Sequence, residues 1–256
     1  VGNGMSLIIF ASIVSQLPAQ FGGAYQVTAG QGRIGQFTFL MLMFFLMIVG
    51  IIYVEQGQRR IPIQFAKRVR GRKVMGGQST YIPLKVNSAG VIPVIFATSI
   101  LFFPALVATS LPQDNSVTAA IRNWIDVNLA NSQGTTWFYI FFLGILIIFF
   151  TYFYTTIQFD PVRQSDMIRR QGGFVPGVRP GISTTNYLSH IINRITLPGS
   201  IFLASVAVLP SIASAIWDIP LGFSGISILI TVGVALETMK QIESQLSMRN
   251  YEGFID

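Results

Sequence analysis

FTFLMLMFFLMIVGIIYV, residues 37–54, runs for eighteen residues without a charge. As a helix rising ~1.5 Å per residue it reaches roughly 27 Å, enough to cross the hydrocarbon core of a bilayer with its flanks. The whole chain has the matching composition: its 256 residues are 51% hydrophobic and only 11% charged, where a soluble domain is about one-quarter charged. The sequence therefore reads as an all-α integral membrane protein.

Five further spans flank that stretch: about Met5–Leu17, which is short, then Ala89–Leu111, Trp137–Ile157, Leu197–Trp217 and Phe223–Met239. The last is diluted by Gly and Ser. Trp137-Phe138-Tyr139 opens the fourth span and Tyr152-Phe153-Tyr154 closes it, as expected of aromatic belts at the two interfaces.

The charge then gives orientation. Residues 55–88 carry eight bases (Arg59, Arg60, Lys67, Arg68, Arg70, Arg72, Lys73, Lys85) against Glu55, and residues 158–196 carry five arginines against two acids. These hold 13 of the 17 basic residues, and basic loops beside spans stay in the cytoplasm. The chain divides accordingly: 1–54 as two spans with an external loop (Gln16–Gln36), 55–88 as a basic cytoplasmic hairpin, and 89–157 as two spans with an external loop (Pro112–Thr136). Then come 158–196 as a second basic loop, 197–239 as two spans and 240–256 as a cytoplasmic tail. The abrupt apolar start, with no Met, suggests that the chain begins inside a larger protein.

Several chemistries find no support. There is no Cys, and His190 is the single histidine. No nucleotide loop, zinc motif or nucleophile–base pair is visible, so we assign no catalytic residue and expect neither enzyme activity, cofactor nor metal. The first five spans hold no ionisable residue in their interior, unlike pumps and proton-coupled carriers. Glu237 and Lys240, three apart at the end of the sixth, read as an interfacial helix-end pair. Prolines 93, 104, 198 and 210 punctuate the third and fifth spans; Pro93 is expected to bend its helix near the cytoplasmic end.

In the first basic loop, weak alternation over residues 61–65 and a basic stretch Val69-Arg70-Gly71-Arg72-Lys73 predict a loose hairpin with its charge at the tip. Such a tip suits phosphate-rich RNA, an acidic protein surface or anionic lipid headgroups; eight bases exceed what topology alone requires. In the second loop, Pro176, Pro180 and glycines at 172, 173, 177 and 181 make a stiff frame that presents Arg179 for a specific contact.

Residues 59–62 (RRIP), 76–87 (GGQSTYIPLKVN), 89–97 (AGVIPVIFA), 174–181 (FVPGVRPG), 1–6 (VGNGMS) and 233–241 (GVALETMKQ) together resemble the SecY protein-translocation channel family. The resemblance covers the whole chain. It implies the C-terminal half, helices 5–10, of a ten-helix channel, with the plug and the first four helices outside this sequence. It implies an apolar pore ring at Met5, Ile9, Ile95, Ser99 and Ile230, in which Met5 replaces a branched aliphatic and makes the seal more deformable. Asn87 matches a polar lateral-gate residue. The two basic loops match the docking surface for the ribosome (its RNA and exit-site proteins) or the SecA motor, through Arg59, Arg60, Lys67, Arg68, Arg70, Arg72, Lys73 and Arg179. SecE and SecG subunits, signal sequences, nascent chains and membrane lipids are the further partners implied. The membrane implied is the bacterial plasma membrane, with the thylakoid membrane as alternative. Against this channel stand two other readings: a secondary transporter for small solutes, and a membrane scaffold that recruits a cytosolic complex.

Overall fold

The computed structural model describes residues 4–30, 32–65, 68–70, 73–75, 79–110, 116–129, 136–217 and 224–252. Six helices are long and apolar enough to cross a membrane: α1 (Gly4–Gly30), α2 (Ile34–Gln56), α3 (Ile92–Ser110), α5 (Trp137–Gln158), α7 (Ile182–Trp217) and α8 (Gly225–Glu252). Two shorter helices, α4 (Ser116–Asn128) and α6 (Pro161–Arg170), and five strands complete the described chain: β1 (Gln58–Phe65), β2 (Arg68–Arg70), β3 (Lys73–Met75), β4 (Ser79–Lys85) and β5 (Gly173–Phe174).

All six expected spans are helical, but four ends differ from expectation. α1 runs through Pro18 to Gly30, so much of the expected external loop 16–36 is helix. α7 begins at Ile182, fifteen residues before Leu197, and α8 continues through Glu252 into the expected tail. The reason is common to all three: hydropathy falls where polar residues begin, whereas backbone hydrogen bonding needs no apolar side chain to continue. The fourth difference concerns Pro93. Helix α3 starts at Ile92, so Pro93 sits in the first turn, where its missing N–H had no helical partner to lose. Pro93 therefore bends nothing. The chain turns just before it, where Gly90 adopts a left-handed φ of 65°.

The spans pack around one main core, with a small satellite of Leu40 and Ala213 between α2 and α7. The main core is built from Met47 and Ile51 of α2, Val94, Ala97 and Leu101 of α3, and Leu143 and Ile147 of α5. Leu203, Val206 and Ala207 of α7 and Ile228, Leu229, Val232 and Leu236 of α8 complete it. On α3 the buried positions 94, 97, 101, 105 and 108 recur every three or four residues, one stripe of a helix. Small residues let backbones approach: a Cβ at Gly225 would overlap the Val206 carbonyl and crowd Ala207 Cα at 2.8 Å, so α8 can enter against α7 only as glycine.

A second core lies apart from the first. Ile61, Ile63, Leu84, Ile168, Val175, Leu188, Ile191 and Ile192 form it, with Phe65, Ile82, Phe159, Val178 and Ile195 around them. These residues come from β1, β4, α6, the segment after β5 and the first half of α7. The two basic loops are thus one folded module, and α7 runs from its core into the membrane core.

Candidate functional site

The module is built from a sheet in the order β4-β1-β5. β1 and β4 pair antiparallel from Gln58↔Lys85 to Gln64↔Ser79. Along β1, Ile61 and Ile63 are buried while Arg60, Pro62 and Gln64 are exposed, the period-two pattern of a strand with one dry face. The weak alternation in the sequence marked this strand correctly. Arg60 lies 4.9 Å over the Tyr81 ring; since Tyr81 pairs with Pro62, the two are diagonal neighbours across the ladder. Arg59 is exposed beside it.

The sequence did not predict the third strand. β5 pairs with the end of β1, Phe65↔Gly173 and Gln64↔Phe174, and so joins the second loop to the first. Gly173 fits because it has no Cβ: one would stand 2.9 Å from Ile63 Cγ2 and 3.1 Å from Phe65 Cε1. Ahead of it, α6 carries its own start and stop signals. Asp160 caps it by accepting from the Val162 and Arg163 amides, Pro161 opens it, and Arg169 and Arg170 close it against the negative end of its dipole.

After β5, residues 175–178 make a turn closed by the Val178 amide donating to the Val175 carbonyl at 3.1 Å. Pro176 and Gly177 occupy its centre, with Gly177 at φ 81°, the residue choice of a type II turn. Arg179 follows with an exposed side chain and a fixed backbone: its carbonyl accepts from the buried Thr184 hydroxyl at 3.0 Å. Two residues on, the Gly181 carbonyl accepts from the Ser165 hydroxyl of α6 at 3.1 Å. The stiffness expected of this segment therefore has identifiable donors.

Beyond the sheet, β2 and β3 pair antiparallel as Arg68↔Met75, Val69↔Val74 and Arg70↔Lys73. Lys67 and Arg72 lie outside the described residues, as do the side chains of Arg68, Arg70 and Lys73. The backbone register sets Arg70 directly opposite Lys73.

Asn87 joins the module to the spans. It is 6% exposed; its amide donates to Glu55 Oε2 at 2.9 Å, and its Oδ1 accepts from the Gly90 amide at 3.0 Å. Asn87 thus clamps the end of α2 to the turn that starts α3. The pairing of Glu55 with Asn87 was not legible in the sequence; a separation of 32 residues leaves no local signal. Close by, a Cβ on Gly199 of α7 would stand 2.7 Å from the Val86 carbonyl, so the segment just after β4 and the helix touch backbone to backbone.

The residues expected in the pore ring occupy three spans. Ile95 and Ser99 are one turn apart on an exposed face of α3, with the Ser99 hydroxyl donating to the Ile95 carbonyl at 2.8 Å. That hydroxyl is satisfied by its own helix, so the face stays effectively apolar. Ile9 is exposed on α1 and Ile230 half-buried on α8; Met5 belongs to α1, with its side chain outside the described residues. His190, Glu237 and Lys240 are exposed. Among the described residues no ionisable side chain is buried, and no group of three His, Cys, Asp or Glu could hold a metal ion.

Similar proteins of known sequence or structure point to one family. A translocase subunit SecY of Mycobacterium bovis is 46% identical over all of this chain and 58% of its own length. One of Streptomyces scabiei is 47% identical, with 57% of its length covered. The chain thus spans somewhat over half of the relatives it matches. Two solved structures share the fold with a TM-score of 0.59, each over the whole chain and 62% of its own length. One is described as a protein-conducting channel, at 18% identity. The other, at 15%, is described as showing that the SecY plug stabilises the closed channel and maintains a membrane seal. The family model for SecY matches residues 1–239, and with six apolar helices of spanning length this multi-pass membrane chain belongs to the SecY family.

Proposed function

We propose that the chain is the C-terminal half of the central subunit of a protein-conducting channel, one that passes unfolded secretory proteins across a bacterial plasma membrane and releases membrane segments sideways into lipid. The observation that carries this is the SecY family match on a bundle whose described spans bury no ionisable group. Such a bundle offers passing chains an apolar surface and binds no coupling ion. A solute transporter needs buried polar ligands near the midplane, and a pure scaffold leaves the SecY family match unexplained. In this reading Met5, Ile9, Ile95, Ser99 and Ile230 form the seal, Asn87 belongs to the lateral gate, and SecE and SecG complete the assembly. The chain performs no catalysis; the driving energy comes from the ribosome or the SecA motor, docked on the basic module from the cytoplasm.

The seal is tested by planar-bilayer conductance of the full-length channel. A polar side chain on an apolar constriction favours wetting, so Ile95→Asn raises the resting leak, while the lipid-remote packing residue Leu143, buried at 1%, gives no leak when changed to Ile. Silent traces from Ile95→Asn return that residue to ordinary packing. The docking surface is tested with charge reversals. Arg72 and Lys73 to Glu weaken ribosome binding and flatten its salt dependence, because fewer counterions are released. Arg179→Glu slows SecA-driven export without loss of membrane insertion. Normal export in that variant makes the Arg179 loop a connector only.

A further inference from the structure

Between α3 and α5, on the membrane boundary remote from the basic module, lies α4, residues Ser116–Asn128. It is too short to span a bilayer, at ~20 Å against ~30 Å of hydrocarbon. Its sequence is two-faced. At 3.6 residues per turn Ile121, Trp124 and Val127 share one side, and Arg122 and Asp126 occupy the opposite one. The apolar three are 48%, 53% and 65% exposed, so the described chain leaves about half or more of each uncovered. On the other side Arg122 and Asp126 pair with each other at 3.7 Å. Ile125, between the two sectors, is buried, and Leu129 beyond it packs on the membrane core.

The height of α4 is fixed by two contacts. The Thr136 hydroxyl, one residue before α5 begins, donates to the Val127 carbonyl at 3.0 Å. The Trp124 ring meets Phe138 edge-on at 5.6 Å, and Phe138 stacks on Phe142 one turn further along α5 at 6.0 Å. Phe138, Phe142, Ile145, Phe149 and Phe153 form an exposed apolar stripe down α5, and Trp124 extends its upper end. The exposed side of α4 is therefore continuous with a bare face of a membrane span, at the level where that span starts.

We infer that α4 is an interfacial anchor whose Ile121, Trp124 and Val127 insert at the boundary between acyl chains and headgroups of a phospholipid leaflet. Amphipathic helices with aromatic residues on the apolar side and a charged opposite side settle there, and indole rings favour that depth. Because Arg122 and Asp126 neutralise each other, anionic lipid is not required. The anchor restrains the ends of α3 and α5 in the plane of the membrane.

The test uses the full-length protein in vesicles of phosphatidylcholine, with single nitroxide labels at Ile121→Cys, Trp124→Cys, Val127→Cys, Asn123→Cys and Asp126→Cys in a cysteine-free background. Relaxation by oxygen, which partitions into lipid, is compared with relaxation by a water-soluble nickel chelate. The expected result is an oxygen-to-chelate ratio several-fold higher at 121, 124 and 127 than at 123 and 126. Should Trp124→Cys fail to fold, positions 121 and 127 still read the same face. Chelate dominance at all five sites would put α4 in water and overturn the inference. Exclusion of both reagents at 121, 124 and 127 would overturn it in favour of a protein surface covering the helix. A pattern seen only after phosphatidylglycerol is added would replace apolar insertion with headgroup charge.

Discussion

The two largest cores among the described residues are made of the same side chains for different physical reasons. The module core, around Ile61, Ile63, Leu188 and Ile191, forms because water rejects apolar surface, so the amount buried governs it. The membrane core, around Val94, Leu143, Leu203 and Ile228, has no such drive, since lipid tails are as apolar as leucine. There the fit of backbones matters most, and Gly225 against Val206 is its tightest point. Module stability should therefore respond to lost volume, and bundle stability to added volume.

The sharpest way to break this contrast is Leu188→Ala. Leu188 is 0% exposed in the module core, and deleting such a side chain costs about 4 kcal/mol. Trypsin should then cleave rapidly within the basic strands while the spans remain inserted. Unchanged cleavage would mean that the module has no stability of its own. Next comes Gly225→Ala, which should cost about 3 kcal/mol because the obstructing atoms are backbone. Its signature is the converse: a lower unfolding temperature of the detergent-solubilised protein, with trypsin sensitivity of the module unaltered.

A smaller effect, about 2 kcal/mol, is expected for Asn87→Asp, which keeps the acceptor for the Gly90 amide but turns the donor to Glu55 into a facing carboxylate. Adding Glu55→Gln should recover most of the loss. If the double variant is no better than the single, the 2.9 Å contact does not join module to bundle. Smallest, at about 1 kcal/mol, is Gly173→Ala: its Cβ meets the side chains of Ile63, Phe65 and Ile168 rather than backbone, and side chains shift by a few tenths of an ångström more readily than a carbonyl does. A loss as large as that of Gly225→Ala would erase the distinction between a water-driven and a shape-driven core.

The same contrast explains what could be read in advance. A span declares itself, because lipid demands about twenty consecutive apolar residues; residues 37–54 needed no context. The basic hairpin was half legible through the alternation of Ile61 and Ile63. Its joining to Gly173 was not, since pairing across more than a hundred residues leaves no periodic trace, and a two-residue strand has no propensity to speak of. α4 stayed hidden because its apolar side is interrupted by Arg122, Asn123 and Asp126 at loop-like density; only the helical period sorts them. The residues proposed for the pore are the extreme case. Ile95 on an uncovered face looks like any residue of a membrane helix, and only its place in the pattern shared with SecY singles it out.

One feature of α7 has a mechanical side. The helix is continuous from Ile182 to Trp217, but Pro198 cannot bond the carbonyl four residues earlier, and Gly199 beside it leaves no side chain to stiffen the joint. The segment from Ile182 to Leu197 is thus a lever arm of roughly 24 Å with its flexure at the foot. The resting point of that arm is the Val86 carbonyl, pressed against Gly199. A tilt of about ten degrees moves the far end by roughly 4 Å on such an arm. Seen from the other end, a few ångströms of displacement imposed on the module reach the bundle only as a small angle at the Pro198–Gly199 joint. The fold therefore gears coarse movements in water down to fine ones in lipid.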